Sequence, residues 1–312
     1  MDMTGPVTEL VATALAAETA GADYLVLPDR TAAVPDGASP ATALIAAAFL
    51  AARTEDVGIV VAAATSYHEP YSLARQTASL DHISAGRAGW FAGSATDPAS
   101  DANHRRECHD PARDPQARAR EFVPLVRALW DSWEDGAFVH EKATGRFVDA
   151  DRIHTVDHVG EALAVRGPLN VIRPPQGQPV VFARATDAVA EHADIVFSAA
   201  PQQDHALAVI PFIAADEAAA RALHAAAGSP EGDADHAVVV GTPEQVAARL
   251  DHPHVLVRCT ARGQLTAFIE QVLPLLKKKG PAGTTLRARL GLAPAPNRFA
   301  RSEDEELISN AR

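Results

Sequence analysis

Val57-Gly58-Ile59-Val60-Val61-Ala62-Ala63-Ala64 runs into Thr65-Ser66-Tyr67-His68-Glu69, and Pro70 then opens a stretch reaching Ser84, ahead of Gly89-Trp90-Phe91-Ala92-Gly93. The first run is short, continuous and apolar, as expected of a strand covered on both faces in a parallel sheet. Pro70 suits a first helical turn, so residues 69–84 read as helix. A second short run at 89–93 reads as strand. This strand–helix–strand unit decides the fold class, because a parallel pair needs such a crossover.

Working outward, the same alternation repeats. Residues 6–22 read as helix, ended by Gly21, and Tyr24-Leu25-Val26-Leu27-Pro28-Asp29 as a buried strand with an acid at its end. Helices are expected at 40–52, 115–133, 215–227, 243–250 and 264–278. Strands are expected at 180–184, 195–197, 209–213, 238–240 and 254–258. Seven or eight strands alternating with helices predict an α/β fold of the TIM (β/α)8 type. The polar stretches 95–115 and 135–178 read as loops or excursions of that barrel. Residues 1–292 form one expected domain, and 293–312, with Pro294, Pro296 and the acids at 303–306, an extended arm.

Composition narrows the function classes. The 312 residues carry a net charge of −12, with 66 Ala and only 4 Lys against 24 Arg. An acidic chain without a basic stripe is not built to grip nucleic acid. Lys277-Lys278-Lys279 reads as a helix C-terminus meeting its dipole. No stretch of about 18 residues is apolar and uncharged enough to span a membrane. No basic leader precedes Asp2 and Glu9, and two cysteines make no disulfide framework, so a cytoplasmic setting is expected.

Several constellations offer chemistry. His68 and Tyr67 follow a strand end, the active face of a barrel, and are candidates for acid–base work. The alternative is local: Thr65 or Ser66 capping the next helix, with Glu69 completing a capping box. Asp29 is either a loop acid or a pocket acid. Trp90 and Phe91 are either core or a cofactor wall. Cys108 with His104, Glu107 and His109 reads as a metal group, a nucleophilic thiol or a plain polar loop, and its spacing matches no zinc pattern. No site metal is expected. There is no GxGxxG, Walker loop or GxSxG.

The segments Pro70-Tyr71-Ser72-Leu73-Ala74-Arg75, Ala78-Ser79-Leu80-Asp81-His82-Ile83-Ser84 and Gly86-Arg87-Ala88-Gly89-Trp90 resemble the bacterial luciferase-like flavin monooxygenases. The branch is that of the nitrilotriacetate, dibenzothiophene-sulfone and pristinamycin-synthase large subunits. The resemblance continues through Glu121-Phe122, Leu129-Trp130-Asp131-Ser132-Trp133-Glu134, Gly167-Pro168-Leu169 and Pro174-Pro175-Gln176-Gly177. It returns at Gly241-Thr242-Pro243-Glu244-Gln245-Val246-Ala247, Thr285-Leu286-Arg287 and Leu290-Gly291-Leu292, so it spans nearly the whole chain. It implies a barrel using reduced FMN, delivered by a separate reductase, and O2 on a small organic substrate. It also implies a dimer, either of this chain or with a luciferase-like homologue. Asp29 and Thr65 match flavin-facing positions. Ser94, Arg184 and Thr186 are the remaining expected cofactor contacts, with Trp90 and Phe91 beside them. Arg75, Asp81 and Arg87 match as scaffold.

The chain also departs from that pattern. Phe91 stands where the family has an Asn on the flavin, and Pro115-Gln116 where it has Arg-Tyr. The family's small-residue phosphate loop becomes Phe182-Ala183-Arg184-Ala185-Thr186-Asp187, without Gly and with an acid. The family's strand and loop ahead of the helix at 6–21 have no counterpart here. Its helical excursion between the strands at 195–197 and 238–240 shrinks to about 40 residues. The pattern therefore predicts a shortened barrel. Three readings follow: an active FMN monooxygenase, a flavin-deficient subunit paired with an active homologue, or a cofactor-independent enzyme in the same barrel.

Overall fold

The computed structural model describes residues 7–29, 31–32, 41–105, 110, 113–200, 205–228, 235–276 and 283–300. Eight parallel strands form one sheet: β1 (Tyr24–Pro28), β2 (Gly58–Ala64), β3 (Ala88–Gly93), β4 (Val180–Arg184), β5 (Ile195–Ser198), β6 (Ala206–Ile213), β7 (Ala237–Gly241) and β8 (Val255–Val257). They follow one another in order from β1 to β7, and β8 also pairs with β6. The registers are parallel throughout, for example Val60 beside Gly89 and Phe91 beside Phe182. Among the described residues no ladder joins β1 to β7 or β8, so the sheet curls into an incomplete, half-closed barrel.

Helices fill the connections: α1 (Val7–Ala20), α2 (Ala43–Ala51), α3 (Pro70–Ile83), α4 (Pro98–His104), α5 (Pro115–Trp130), α6 (Glu217–Ala227) and α7 (Pro243–Arg249). Period-two alternation divides each strand between two cores. Leu25, Leu27, Ile59, Val61, Trp90 and Val181 point outward and pack with α1, α2, α3 and α5. Tyr24, Val26, Val60, Phe91, Phe182 and Phe197 belong to the opposite, inner face, together with Leu286 and Leu290. Gly89 shows why that face needs small residues: a Cβ there would lie 2.9 Å from both Phe182 and Val60. The last strands have a separate core around Val209, Ile213, Val246 and Phe268.

The matched motifs build a polar layer within this scaffold. Arg87 donates to the carbonyls of Ala51, Thr54, Val57 and Ser84, tying the end of α2 to the start of β2. Asp81 accepts from the backbone N–H groups of Ala88 and Gln176 and from the Gln176 amide. Arg127 and Arg287 converge on Asp194, which accepts in turn from Val181 N. These ties lock the excursion at 131–178 and residues 285–292 onto the sheet.

Four features were not apparent in the sequence. Helix α4 lies inside the stretch 95–115, started by Asp97 accepting from Ala99 N and Ser100 N. Two small hairpins, Phe138–Glu141 with Arg146–Val148 and His158–Val159 with Ala164–Val165, occupy the excursion. The helix expected at 264–278 is α-helical only over Gln264–Ala267 and then winds through a π turn and a 3-10 turn ending at Leu275. Pro274 lies in that last turn and supplies no N–H for an α ladder. Of the expected arm, residues 293–300 are described, and Asn297 fastens them by donating to the carbonyls of Asp131 and Trp133. Among the described residues no helix is long and apolar enough to cross a membrane.

Candidate functional site

The C-terminal ends of β1 to β4 bring most of the expected residues to one rim. Asp29 follows β1, Thr65 to His68 follow β2, Ser94 follows β3, and Arg184, Thr186 and Asp187 end β4 or follow it. In a parallel barrel this rim is the reactive face.

Asp29 and His68 form its one acid–imidazole pair among the described residues. The carboxylate Oδ2 lies 3.2 Å from His68 Nε2, with side chains 8% and 18% exposed. The other carboxylate oxygen accepts from Ala43 N at 3.1 Å, at the first turn of α2. Burial opposes ionisation of Asp29. The adjacent imidazole and the Ala43 N–H outweigh it and hold the carboxyl below its ordinary value. Asp29 is thus an anion beside His68 Nε2 that also accepts from the first turn of α2.

Tyr67, a candidate for acid–base work, reaches across the rim to α4. Its hydroxyl accepts from Asp97 N at 2.7 Å and donates to Asp101 at 3.1 Å, and its ring packs on His104 at 4.8 Å. Burial and the Asp101 carboxylate push the phenol up to about 12, so at neutral pH it keeps its proton. Tyr67 fastens α4 across the rim. Thr31 and Asn103 add a second tie between α4 and the segment after β1.

The capping-box reading is corrected. Glu69 is the residue before the first turn of α3, and no side chain caps that turn. Thr65 and Ser66 donate instead to the carbonyls of Gly93 and Ser94. Arg118 of α5 holds the loop from outside, donating to the carbonyls of Thr65 and His68 at 3.1 and 2.9 Å. The sequence reading missed Arg118. Its only signal is its place on the buried, amphipathic side of α5.

The two aromatic candidates separate because adjacent strand residues face opposite ways. Trp90 is fully buried against the helices, donates to Ala63 O at 2.9 Å and packs on Phe122 and Trp130. It is core and does not reach the rim. Phe91 faces inward, its ring parallel to Phe182 at 6.4 Å and to Phe197 at 6.0 Å. Three near-parallel rings thus occupy the inner face where the sequence pattern places a polar Asn.

Beyond Phe91, the loop that the resemblance assigns to a phosphate is tied up by its own side chains. Asp187 accepts from Ser94 N at 2.8 Å, Ser94 Oγ at 2.9 Å and Val189 N at 3.3 Å. Gln116, in the expected Tyr position, accepts from Ala188 N. Thr186 donates to Asp235, and Arg184 Nε stands 3.9 Å from the same carboxylate. As arranged, the Ser94 and Val189 donors are taken up by the Asp187 carboxylate, so these donors do not fit a second anion without Asp187 moving. Asp187 and Asp235 are the residues here whose part was not read from sequence, and Asp187 was foreseen only as a repelling charge.

Of the Cys108 constellation, only His104 lies within the described residues, and its Nδ1 is 2.8 Å from Ser100 O. Among the described residues no group of three or more His, Cys, Asp or Glu side chains is placed to hold a metal ion.

A half-closed parallel barrel with an acid–imidazole pair at the strand ends defines a class of rim-active α/β enzymes, and similarity to known proteins narrows it. The luciferase-like monooxygenase family model matches residues 1–228. The chain is 37% identical over 290 residues to a pristinamycin IIA synthase subunit of Streptomyces pristinaespiralis, covering 91% of this chain and 89% of that one. It is 46% identical over 157 residues to nitrilotriacetate monooxygenase component A of Aminobacter aminovorans, covering 49% of this chain but only 35% of that protein. The EDTA monooxygenase structure from Chelativorans superposes with a TM-score of 0.74 at 24% identity, covering 92% of both chains, which bears on the fold alone. The protein belongs to the luciferase-like monooxygenases, a family of flavin-dependent enzymes.

Proposed function

We propose that this chain is one of two luciferase-like chains in a two-component, flavin-dependent monooxygenase. A separate reductase supplies the reduced flavin, O2 is the oxidant, and a small organic molecule is oxygenated. The paired homologue holds the flavin phosphate. The observation carrying this reading is that loop tied up by Asp187 on Ser94 and Val189.

Two further observations support pairing. The relative matched along nearly its whole length is itself named as one subunit of a synthase. Helix α2 contains no charged residue, yet Ile45 is 67% exposed and Phe49 39%. Ile45 and Phe49 are four residues apart and share one face, an apolar stripe suited to a second protein.

The test is expression of the chain alone and together with a flavin-binding luciferase-like homologue. Size, bound flavin and reductase-driven O2 consumption are then compared. A mixed complex holding flavin, beside a lone chain that holds none, is the expected result. A lone chain that retains flavin and oxygenates substrate would overturn it. That outcome belongs to a second reading, in which this chain is itself the active monooxygenase. The Asp29–His68 pair favours this second reading, since a rim imidazole held by an anion is placed to exchange a proton with substrate.

A further inference from the structure

We infer that Asp187 is an internal stand-in for a phosphate group, filling an anion cradle that its removal would open to a phosphomonoester. Two backbone N–H groups, of Ser94 and Val189, and one hydroxyl, of Ser94, converge on the two oxygens of a single carboxylate. Ser94 is 1% exposed and Val189 fully buried, so the donors are fixed by the fold and are not met casually by solvent. The cradle lies after β3 and β4, at the strand ends that form the reactive face of a parallel barrel, and converging backbone N–H groups form an anion-binding concavity.

Three donors suit the three terminal oxygens of a phosphomonoester at least as well as a carboxylate. Just before the loop, Arg184 Nε is buried without a hydrogen-bond partner, 3.9 Å from the Asp235 carboxylate. A cation with spare donor capacity therefore stands at the same loop. With Asp187 in place, a dianion would meet a fixed negative charge and occupied donors. Charge-assisted hydrogen bonds are strong enough for this occupancy to decide binding.

The inference deepens the pairing reading, since it names the group that keeps flavin phosphate off this chain. Its test titrates the full chain with FMN and with riboflavin, identical but for the phosphate, following flavin fluorescence quenching. The wild-type chain is expected to bind FMN no more tightly than riboflavin. Asp187→Ser is expected to bind FMN about tenfold or more tightly than wild type, with riboflavin unchanged and inorganic phosphate competing. Asp187→Asn keeps the side-chain volume while removing the charge, and supplies the same comparison if the Ser variant fails to fold.

Two results would overturn the inference. One is a wild-type chain that already prefers FMN over riboflavin about tenfold. The other is folded variants, checked by circular dichroism, in which the two flavins remain equal. The pairing reading fails separately. A wild-type chain holding both flavins equally and oxygenating substrate alone would end that reading and leave the cradle inference standing.

Discussion

Two carboxylates, one half-buried and one buried, respond to pH in opposite directions because their surroundings differ. For Asp29 the folded value lies below the unfolded one, 3.8, so its contribution is present above that value and is lost as the pH falls through the folded value. His68→Ala removes the neighbouring imidazole and weakens that contribution. In urea titrations the stability gap between wild type and His68→Ala is expected to shrink as the pH falls below about 4, where Asp29 takes up its proton. Asp29→Ala also uncovers Ala43 N–H at the first turn of α2, a loss of about 1 kcal/mol at pH 7. Asp81 behaves the other way: burial pushes it up to about 6 despite its donors from Gln176 and Ala88. Its folded form binds the proton more tightly, so this contribution is full below about 4 and disappears as the pH rises through 6. Asp81→Asn removes that slope and turns an amide N–H2 toward the Gln176 donors. The expected cost is about 1–3 kcal/mol, read from the denaturant midpoint.

Single residues also hold whole elements, and Arg87 is the clearest case. Four carbonyls from the end of α2, the start of β2 and the end of α3 depend on one guanidinium. Arg87→Ala strands these buried acceptors and is expected to lower stability by about 3 kcal/mol or more in a denaturant titration. Arg87→Lys rescues little of this, since an ammonium lacks the planar fork. The elements themselves were legible in the sequence where apolar runs and prolines mark them: β1, β2 and β3 and helices α1, α2 and α3 appear within a few residues of expectation. Helix α4 was not, because its seven residues, Pro98–His104, have no apolar period and depend on Tyr67 and Thr31 from elsewhere in the chain. The hairpins at 138–148 and 158–165 are equally silent, being mostly exposed and without buried alternation. At the site, sequence position placed Asp29, Thr65, His68 and Ser94 on the rim. It did not reveal that Asp187 takes up Ser94, or that Tyr67 reaches α4, because both are contacts between distant segments.

At the scale of the molecule, the unsolved surface is the outer face of α2. Its buried side, Ala43, Ala46, Ala47 and Leu50, is fully used against the sheet and neighbouring helices. Its outer side keeps Ile45 67% and Phe49 39% exposed, and among the described residues Arg53 lies over the Phe49 ring at 5.2 Å. An apolar stripe of this kind costs solubility unless another protein covers it. Paired substitution Ile45→Glu with Phe49→Glu puts two charges on that stripe without entering the core. The barrel is expected to keep its melting temperature within a few degrees, because exposed sites away from buried contacts change stability by about 0.5 kcal/mol or less. Association with a luciferase-like partner is expected to fall by at least about a hundredfold, as two charges buried against an apolar surface cost several kcal/mol. Analytical ultracentrifugation beside circular dichroism separates the outcomes. A folded variant that still forms the mixed complex would move the pairing surface off α2, while loss of the complex with the fold intact would assign α2 to it.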